Sequence, residues 1–531
     1  MAEFLPDFLV IFAYFTIIIS IGLAQKGKSG SVEGFALGNR EIAWWAVLAS
    51  IIAAEISAAT FLGAPGEGFE KRNWTYAQLA IGTVLARILV SVVFIPIYYK
   101  QGVISIYEFL GTRFGRRTRT FASCTFLVTR VLAMGTRLYV SAIIVVLGYE
   151  MVSGMNATPA DEFWLFTVAL VLISLMTAVY TTVGGIRAVI WTDFIQVTVL
   201  VAALGFSVWF LLGKIHGGWD AVVSHIQEPV FWNWGQPKGD GVWGWVVGIL
   251  SEEYTVWAAI IGSTFVTMAT HGIDQDTVQR MLTAKNRQQS AFATIMSGIV
   301  DVPIVASFIL IGVLLSIYYA GNTDPNLPKE GREIFPYFIL HVMPQGLRGL
   351  VAAGILATAM GSLSTALNAL ATSFSRDFVI PRMTGEITEQ RRVRALRLST
   401  ILFATLIIAV GVTTAWYVSH HPSVRIIPLV LGILGYTFGS LLGVFLVGVF
   451  TRNRGNDFGN IVGMILGFLV VAYLSGVDLM ILDTFAPLQE GTRHRELILA
   501  FPWRITCGCL VTVIVALLFP TRERRDERVE Y

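Results

Sequence analysis

Charge is the scarcest commodity in this chain. Only 14% of its 531 residues are Asp, Glu, Lys or Arg, where a soluble globular domain carries about 25%. That deficit excludes an ordinary soluble enzyme and a disordered chain. The net charge of +3 gives no footing for a nucleic-acid partner. Cysteine is nearly absent: Cys124, Cys507 and Cys509 all lie within apolar runs, so neither a disulfide framework nor a metal-binding spacing is present. What remains is a mean hydropathy of +0.68, with 50 glycines and 14 tryptophans. This is the composition of an all-α polytopic membrane protein with little mass outside the bilayer. Tryptophan there favours the interfaces, and glycine allows helices to approach closely.

A spanning helix needs about 20 mostly apolar residues. Thirteen such runs are expected, at 5–24, 42–69, 74–99, 119–149, 162–183, 187–213, 255–278, 290–319, 347–374, 394–419, 424–450, 457–482 and 499–520. They are continuous rather than alternating, which excludes a β-barrel reading. The first run lacks a basic leader and carries Glu3 and Asp7, unlike a signal peptide. With the N-terminus outside and the C-terminus cytoplasmic, about 24 basic residues fall inside against roughly 9 outside. The expected location is therefore a plasma (inner) membrane. The basic tail from Arg522 reads as a topology anchor beside anionic lipid. The Trp-rich outer segment 214–254 reads as interfacial helix.

The chemistry should sit where polar groups interrupt these runs, because a charge at mid-membrane is expensive and persists only for function or pairing. Glu55 lies at about mid-depth in the second run, before the cluster Gly63-Ala64-Pro65-Gly66-Glu67-Gly68 that should end or kink the helix. The seventh run carries Thr267, Thr270, His271, Gly272, Asp274 and Asp276, then Arg280. Asp274, Asp276 and Arg280 form either an intracellular gate or a helix-end network. In the ninth run Thr358, Ser362, Thr365 and Asn368 recur on one helical stripe, with Ser364 adjacent. Such hydroxyls serve helix packing, or else replace the water around a hard cation such as Na⁺. Asp193, in the sixth run, offers one negative charge to complete an oxygen cage, or pairs with a local donor such as Arg187. Arg130 and Arg137 share a face of the fourth run. Arg137, the deeper, either pairs with Glu55 or clamps an anionic part of a solute.

Runs two to six and seven to eleven each make five crossings, so the second half is inverted relative to the first. Each half opens with a Gly-interrupted polar helix. Corresponding broken helices are the best sequence pointer to a transporter site. They place a solute between the second and seventh runs and an ion where the second meets the ninth.

The residues Ser50-Ile51-Ile52-Ala53-Ala54-Glu55-Ile56-Ser57-Ala58, the stretch from Gly184 to Gln196, the stretch from His271 to Arg280 and the stretch from Leu441 to Phe450, in this order and spacing, resemble the sodium:solute symporter family. The resemblance covers nearly the whole chain and extends to its sodium–glucose, sodium–proline and sodium–sialic acid transporters. It implies a single transporter domain over 1–531 with a LeuT-like five-plus-five core at about 42–213 and 255–450. One peripheral helix precedes that core (5–24) and two follow it (457–482 and 499–520). It implies Na⁺-driven solute uptake by alternating access. The main sodium site would use Ala53, Ile56 and Thr358 carbonyls and hydroxyls at two consecutive ninth-run positions. Those positions hold Gly361 and Ser362 here, so the first hydroxyl is missing. A second sodium site would use Asp193, Ser362, Ser364 and Thr365, giving one or two ions per cycle and no organic cofactor. Solute contacts would match Glu55, Ser57, Thr60, Gln78, Thr267 and Thr270. The sialic acid members' carboxylate-binding arginine aligns near Ala133 rather than on Arg137, so that specificity does not transfer.

A sugar or sugar-like polyol is the favoured solute, with amino or organic acids as the alternative. The partners expected are that solute, Na⁺ and the bilayer, with the chain a monomer or weak homo-oligomer. A solute-sensing receptor module is the rival class, though it would need an output domain and none follows Tyr531. A channel is disfavoured because no charge ring is evident. An enzyme is disfavoured because no nucleophile–base or metal constellation occurs in the runs.

Overall fold

The computed structural model describes residues 2–26, 30–71, 74–153, 158–225, 231–420, 426–479 and 495–521. Most of the described residues are helical, with no strand among them beyond two isolated bridges. Among the described residues, nine helices are long and apolar enough to cross a membrane by themselves, and a tenth span results if one bent pair counts as a single crossing. The basic tail from Arg522 falls outside the described residues.

The elements that frame the site are α1 (Leu5–Ala24), the bent pair α2 (Trp44–Glu55) and α3 (Ala58–Lys71), α4 (Leu79–Gln101), α5 (Arg116–Ser153) and α6 (Pro159–Lys214). The second half brings α7 (Ser263–Gly272), α8 (Gln275–Met281), α9 (Arg287–Gly321), α10 (Leu347–Phe374), α11 (Glu389–His420) and α12 (Ile426–Phe450). Then come α13 (Asp457–Leu474) and α14 (Phe501–Leu517).

The 56 residues of α6 would reach about 84 Å if straight, far more than the roughly 30 Å hydrocarbon core. The helix is interrupted at Gly185, where φ is 59° and ψ −152°. Only glycine suits that turn: its φ is in the left-handed region, and a Cβ would stand 2.7 Å from the Phe35 carbonyl oxygen. The expected runs 162–183 and 187–213 flank this point.

The break between α2 and α3 differs from expectation. The chain bends by 64° at Ile56-Ser57, ahead of the Gly/Pro cluster. Ile56 is extended (φ −75°, ψ 108°), while Pro65 lies inside α3. The glycines there serve packing instead. A Cβ on Gly68 would strike the Ile309 carbonyl on α9, and one on Gly312 would strike the Pro65 carbonyl. Small residues thus let α3 and α9 touch backbone to backbone.

Burial separates centre from periphery. Almost every side chain of α10 is buried, and α10 packs on α6, α5, α11, α1 and α2. The outer helices present large apolar groups: Phe12 on α1, Val92 on α4, Leu175 on α6, Leu398 on α11 and Leu469 on α13 are exposed. An apolar surface of this kind suits lipid rather than water. Trp232 and Trp234 are also exposed, as are Trp243 and Trp245 on the short helix Gly241–Ser251.

Candidate functional site

A helix leaves its last carbonyls without intrahelical donors. Because α2 stops at Glu55, that end sits in the protein interior. Ile56 N donates to Ile52 O at 3.1 Å, and the Ser362 hydroxyl on α10 reaches Ala54 O at 3.4 Å. A Cβ on Gly361 would lie 3.2 Å from Ala53 O. The broken helix and the hydroxyl stripe therefore face each other. Within that stripe, the Ser364 and Thr365 hydroxyls both donate to Gly361 O, at 3.1 and 2.5 Å, and Thr358 donates to Ile355 O at 2.7 Å. Asn368, at the stripe's end, accepts from Gln279 on α8 at 2.7 Å.

Asp193 on α6 lies beside this junction and is fully buried. Its partner is neither Arg187 nor a backbone donor. Oδ2 accepts from Ser50 Oγ at 2.5 Å and from Arg280 Nη2 at 3.1 Å. Arg187 turns outward to Gly38 O and Glu41.

On the other side of the break is a cavity of about 260 Å³. Ala54, Glu55 and Ile56 form part of its wall. Thr60, Arg137, Thr267, Thr270 and His271, all singled out in the sequence, line it too. Ser57 and Gln78 are not among its lining residues. The Ser57 hydroxyl accepts from Thr60 N at 3.3 Å and so caps the start of α3. The Gln78 amide donates to Thr75 O at 3.1 Å, and its oxygen accepts from Asn233 N in the outer segment at 3.5 Å.

Glu55 is held by Arg87 on α4, not by Arg137. Arg87 is completely buried, donates to a Glu55 carboxylate oxygen and to Ser297 Oγ at 3.2 Å, and leaves His271 Nε2 at 3.8 Å from the same carboxylate. Asp301 on α9 completes this acidic end of the cavity wall. The sequence reading missed Arg87 and Asp301. The signal for both was an ionisable residue inside a long apolar run.

The seventh run breaks after Gly272, where Asp274 caps α8 by accepting from Asp276 N at 3.0 Å. Arg130 on α5 pairs with Asp274 at 3.3 Å and with Asp276, and Arg280 pairs with Asp276 at 3.7 Å. The three residues expected as gate or network thus join a buried chain running Asp193–Arg280–Asp276–Arg130–Asp274. Its last two members line the cavity. Arg137 also lines it but makes no ion pair with any described residue.

This geometry has known counterparts. The sodium:solute symporter family profile matches residues 35–467. The chain belongs to that family. Among curated relatives, the sodium/sialic acid symporter SiaT of Proteus mirabilis is 27% identical over 481 residues, covering 89% of this chain and 90% of that one. The sodium/glucose cotransporter 1 of Ovis aries is 26% identical over 511 residues, covering 90% and 72%. A solved Na⁺-coupled sialic acid symporter in a substrate-bound outward-open state superposes with a TM-score of 0.77 at 23% identity, with 97% of each chain covered. Mhp1, a nucleobase-cation-symport-1 family transporter, superposes at 0.53 with 14% identity, covering 93% and 95%. The fold is LeuT-like.

Proposed function

We propose that this family member is a sodium-coupled secondary symporter that imports a small polar organic solute by alternating access. The observation that carries the reading is the two-residue break at Ile56-Ser57, because one short stretch serves both sides. Carbonyls of Ala53 and Ala54 face α10, while Ala54, Glu55 and Ile56 wall the solute cavity. A cation gathered by Ala53, Ile56 and Thr358 carbonyls and Ser362 would fix the break and thereby order the cavity. By linkage, solute bound there strengthens the cation's hold by the same factor. Each inward charge gains about 2.3 kcal/mol per 100 mV of membrane potential. Asp193, Ser364 and Thr365 supply the material for a second ion. The chain would act as a single transporter domain with thirteen crossings in a plasma membrane, N-terminus outside and C-terminus in the cytoplasm. A monomer suffices, since the site is built from one chain.

The solute is a sugar or sugar-like polyol. Glu55, Asp301, His271, Thr60, Thr267 and Thr270 supply acceptors and donors for hydroxyl groups along the wall. A second reading has its own support. Arg137 faces the cavity with no carboxylate of its own, so a solute carrying an acidic group would complete it. Uptake into proteoliposomes with and without a Na⁺ gradient tests the class. Thermal shifts with sugars, polyols, amino acids and carboxylates, in NaCl and in KCl, test the solute. Uptake indifferent to Na⁺ would remove the symporter reading.

A further inference from the structure

The junction of α2 and α10 contains one position where a hydroxyl is missing and one buried amide, Gln196, that makes no hydrogen bond of good geometry. Gly361 has no side chain to offer. The point its Cβ would occupy lies 2.8 Å from Gln196 Oε1, 3.2 Å from Ala53 O and 3.6 Å from Asp193 Oδ1. Three oxygens, two from α6 and one from the end of α2, thus converge just beyond the Gly361 Cα. Two of them lack a hydrogen bond of good geometry: Asp193 Oδ1, and Gln196, whose amide has only the nearby Tyr14 and Tyr180 hydroxyls beside it. Gln196 is 2% exposed and Asp193 0%. Burying a polar group without a partner is unfavourable, so such an arrangement calls for a ligand.

The charges suit a cation. Arg280 and Ser50 both bind Asp193 through Oδ2, leaving Oδ1 directed at the gap. Arg280 is itself countered by Asp276. Along the buried chain from Asp193 to Asp274, three carboxylates meet two guanidiniums, leaving one negative charge in excess. All converging atoms are hard oxygens, the ligands an alkali cation prefers over nitrogen or sulfur.

We propose that Gln196 is a sodium ligand of this chain, its side-chain oxygen standing in for the hydroxyl absent at Gly361 and joining Ala53 O and Asp193 Oδ1 in one cation site. The proposal rests on the sodium-coupled reading above and adds a residue to it. Gln196 lies one helical turn after Asp193 on α6, so both reach the gap from one face. The glycine is then a requirement of the site, because a side chain at 361 would occupy the space into which the amide points.

The test is Na⁺ titration of the purified full-length protein by thermal shift in detergent, with KCl holding ionic strength constant, on wild type, Gln196→Met and Gln196→Glu. Gln196→Met removes the oxygen at similar volume and should weaken Na⁺ binding roughly tenfold or more. Gln196→Glu keeps an oxygen ligand and should bind Na⁺ at least as well as wild type. If Gln196 instead acted by donating an N–H to Asp193, Glu would repel that carboxylate and weaken Na⁺ binding, overturning the proposal. Should Gln196→Met not fold, the Glu variant alone decides. Unchanged Na⁺ binding in Gln196→Met would overturn this proposal while leaving the symporter reading intact. A wild type that shows no Na⁺ response at all would overturn both.

Discussion

The two faces of the α2–α3 break are built on different principles. Towards α10 the protein offers mostly uncharged oxygens: backbone carbonyls freed by the end of a helix, the Ser362 hydroxyl, an amide. Towards the cavity it offers fixed charges held by other fixed charges, with Glu55 on Arg87 and Arg130 on Asp274. A desolvated ion needs its water replaced, which carbonyl and hydroxyl oxygens do cheaply. A polar solute needs directional donors and acceptors, which paired charges hold in place. On the proposed reading, the face towards α10 is sensitive to single oxygen atoms, and the cavity face to whole ion pairs.

The comparison can be broken first at Arg87. Arg87→Met would strand Glu55 at the acidic end of the cavity that Asp301 completes, and removing one partner of a buried pair typically costs about 3–5 kcal/mol. The part of Glu55 that faces the cavity places the expected loss at the lower end of that range. The variant should lose uptake and unfold at lower temperature, and Arg87→Met/Glu55→Met should regain stability without regaining uptake. Asp7→Ala should destabilise without touching either site. Asp7 accepts from Gly346 N and Gly349 N, each at 2.8 Å, and pairs with Arg348 at 2.7 Å, so it ties α1 to the start of α10. Its loss is expected to lower the unfolding temperature while the Na⁺ dependence of uptake stays unchanged.

On the cation side, Ser362→Ala removes one oxygen and should raise the Na⁺ concentration for half-maximal uptake by roughly tenfold, the worth of one bond to a charged group. The order of preference among solutes should not change. Arg137→Met sharpens the solute question. It should abolish stabilisation by acidic solutes and spare neutral sugars, and equal loss of both would show that the guanidinium does not select charge. The smallest effect belongs to Ser57→Ala. Losing the cap on α3 costs about 1 kcal/mol of stability, and solute affinity should stay within about twofold, as thermal shift can show.

How much of this was legible in the chain follows the same division. The long runs, the break after Gly272 and the facing of residues 53–57 and 358–365 follow from hydropathy, glycine and a hydroxyl stripe at helical spacing. The α2 break was misplaced because Gly and Pro were read as local kinks. Gly68 and Gly312 instead answer to contact between α3 and α9, which no single segment reveals. Ser57 was expected to touch solute because the family resemblance places a contact there; its hydroxyl accepts from Thr60 N, and it is not among the residues that line the cavity. Arg87 was passed over as one charge in an apolar run, and its partner Glu55 lies 32 residues away. Pairings of this kind depend on which helices become neighbours, and periodicity within one helix does not encode that.

The most direct test of the central claim compares solute affinity with and without the cation in wild type and Ser362→Ala. Solute binding to the purified wild-type protein should tighten strongly when Na⁺ replaces K⁺ at constant ionic strength, and Ser362→Ala should shift the Na⁺ concentration at which this happens. Solute affinity equal in the two salts, or unmoved by the Ser362 substitution, would contradict a junction that binds the cation and orders the cavity together.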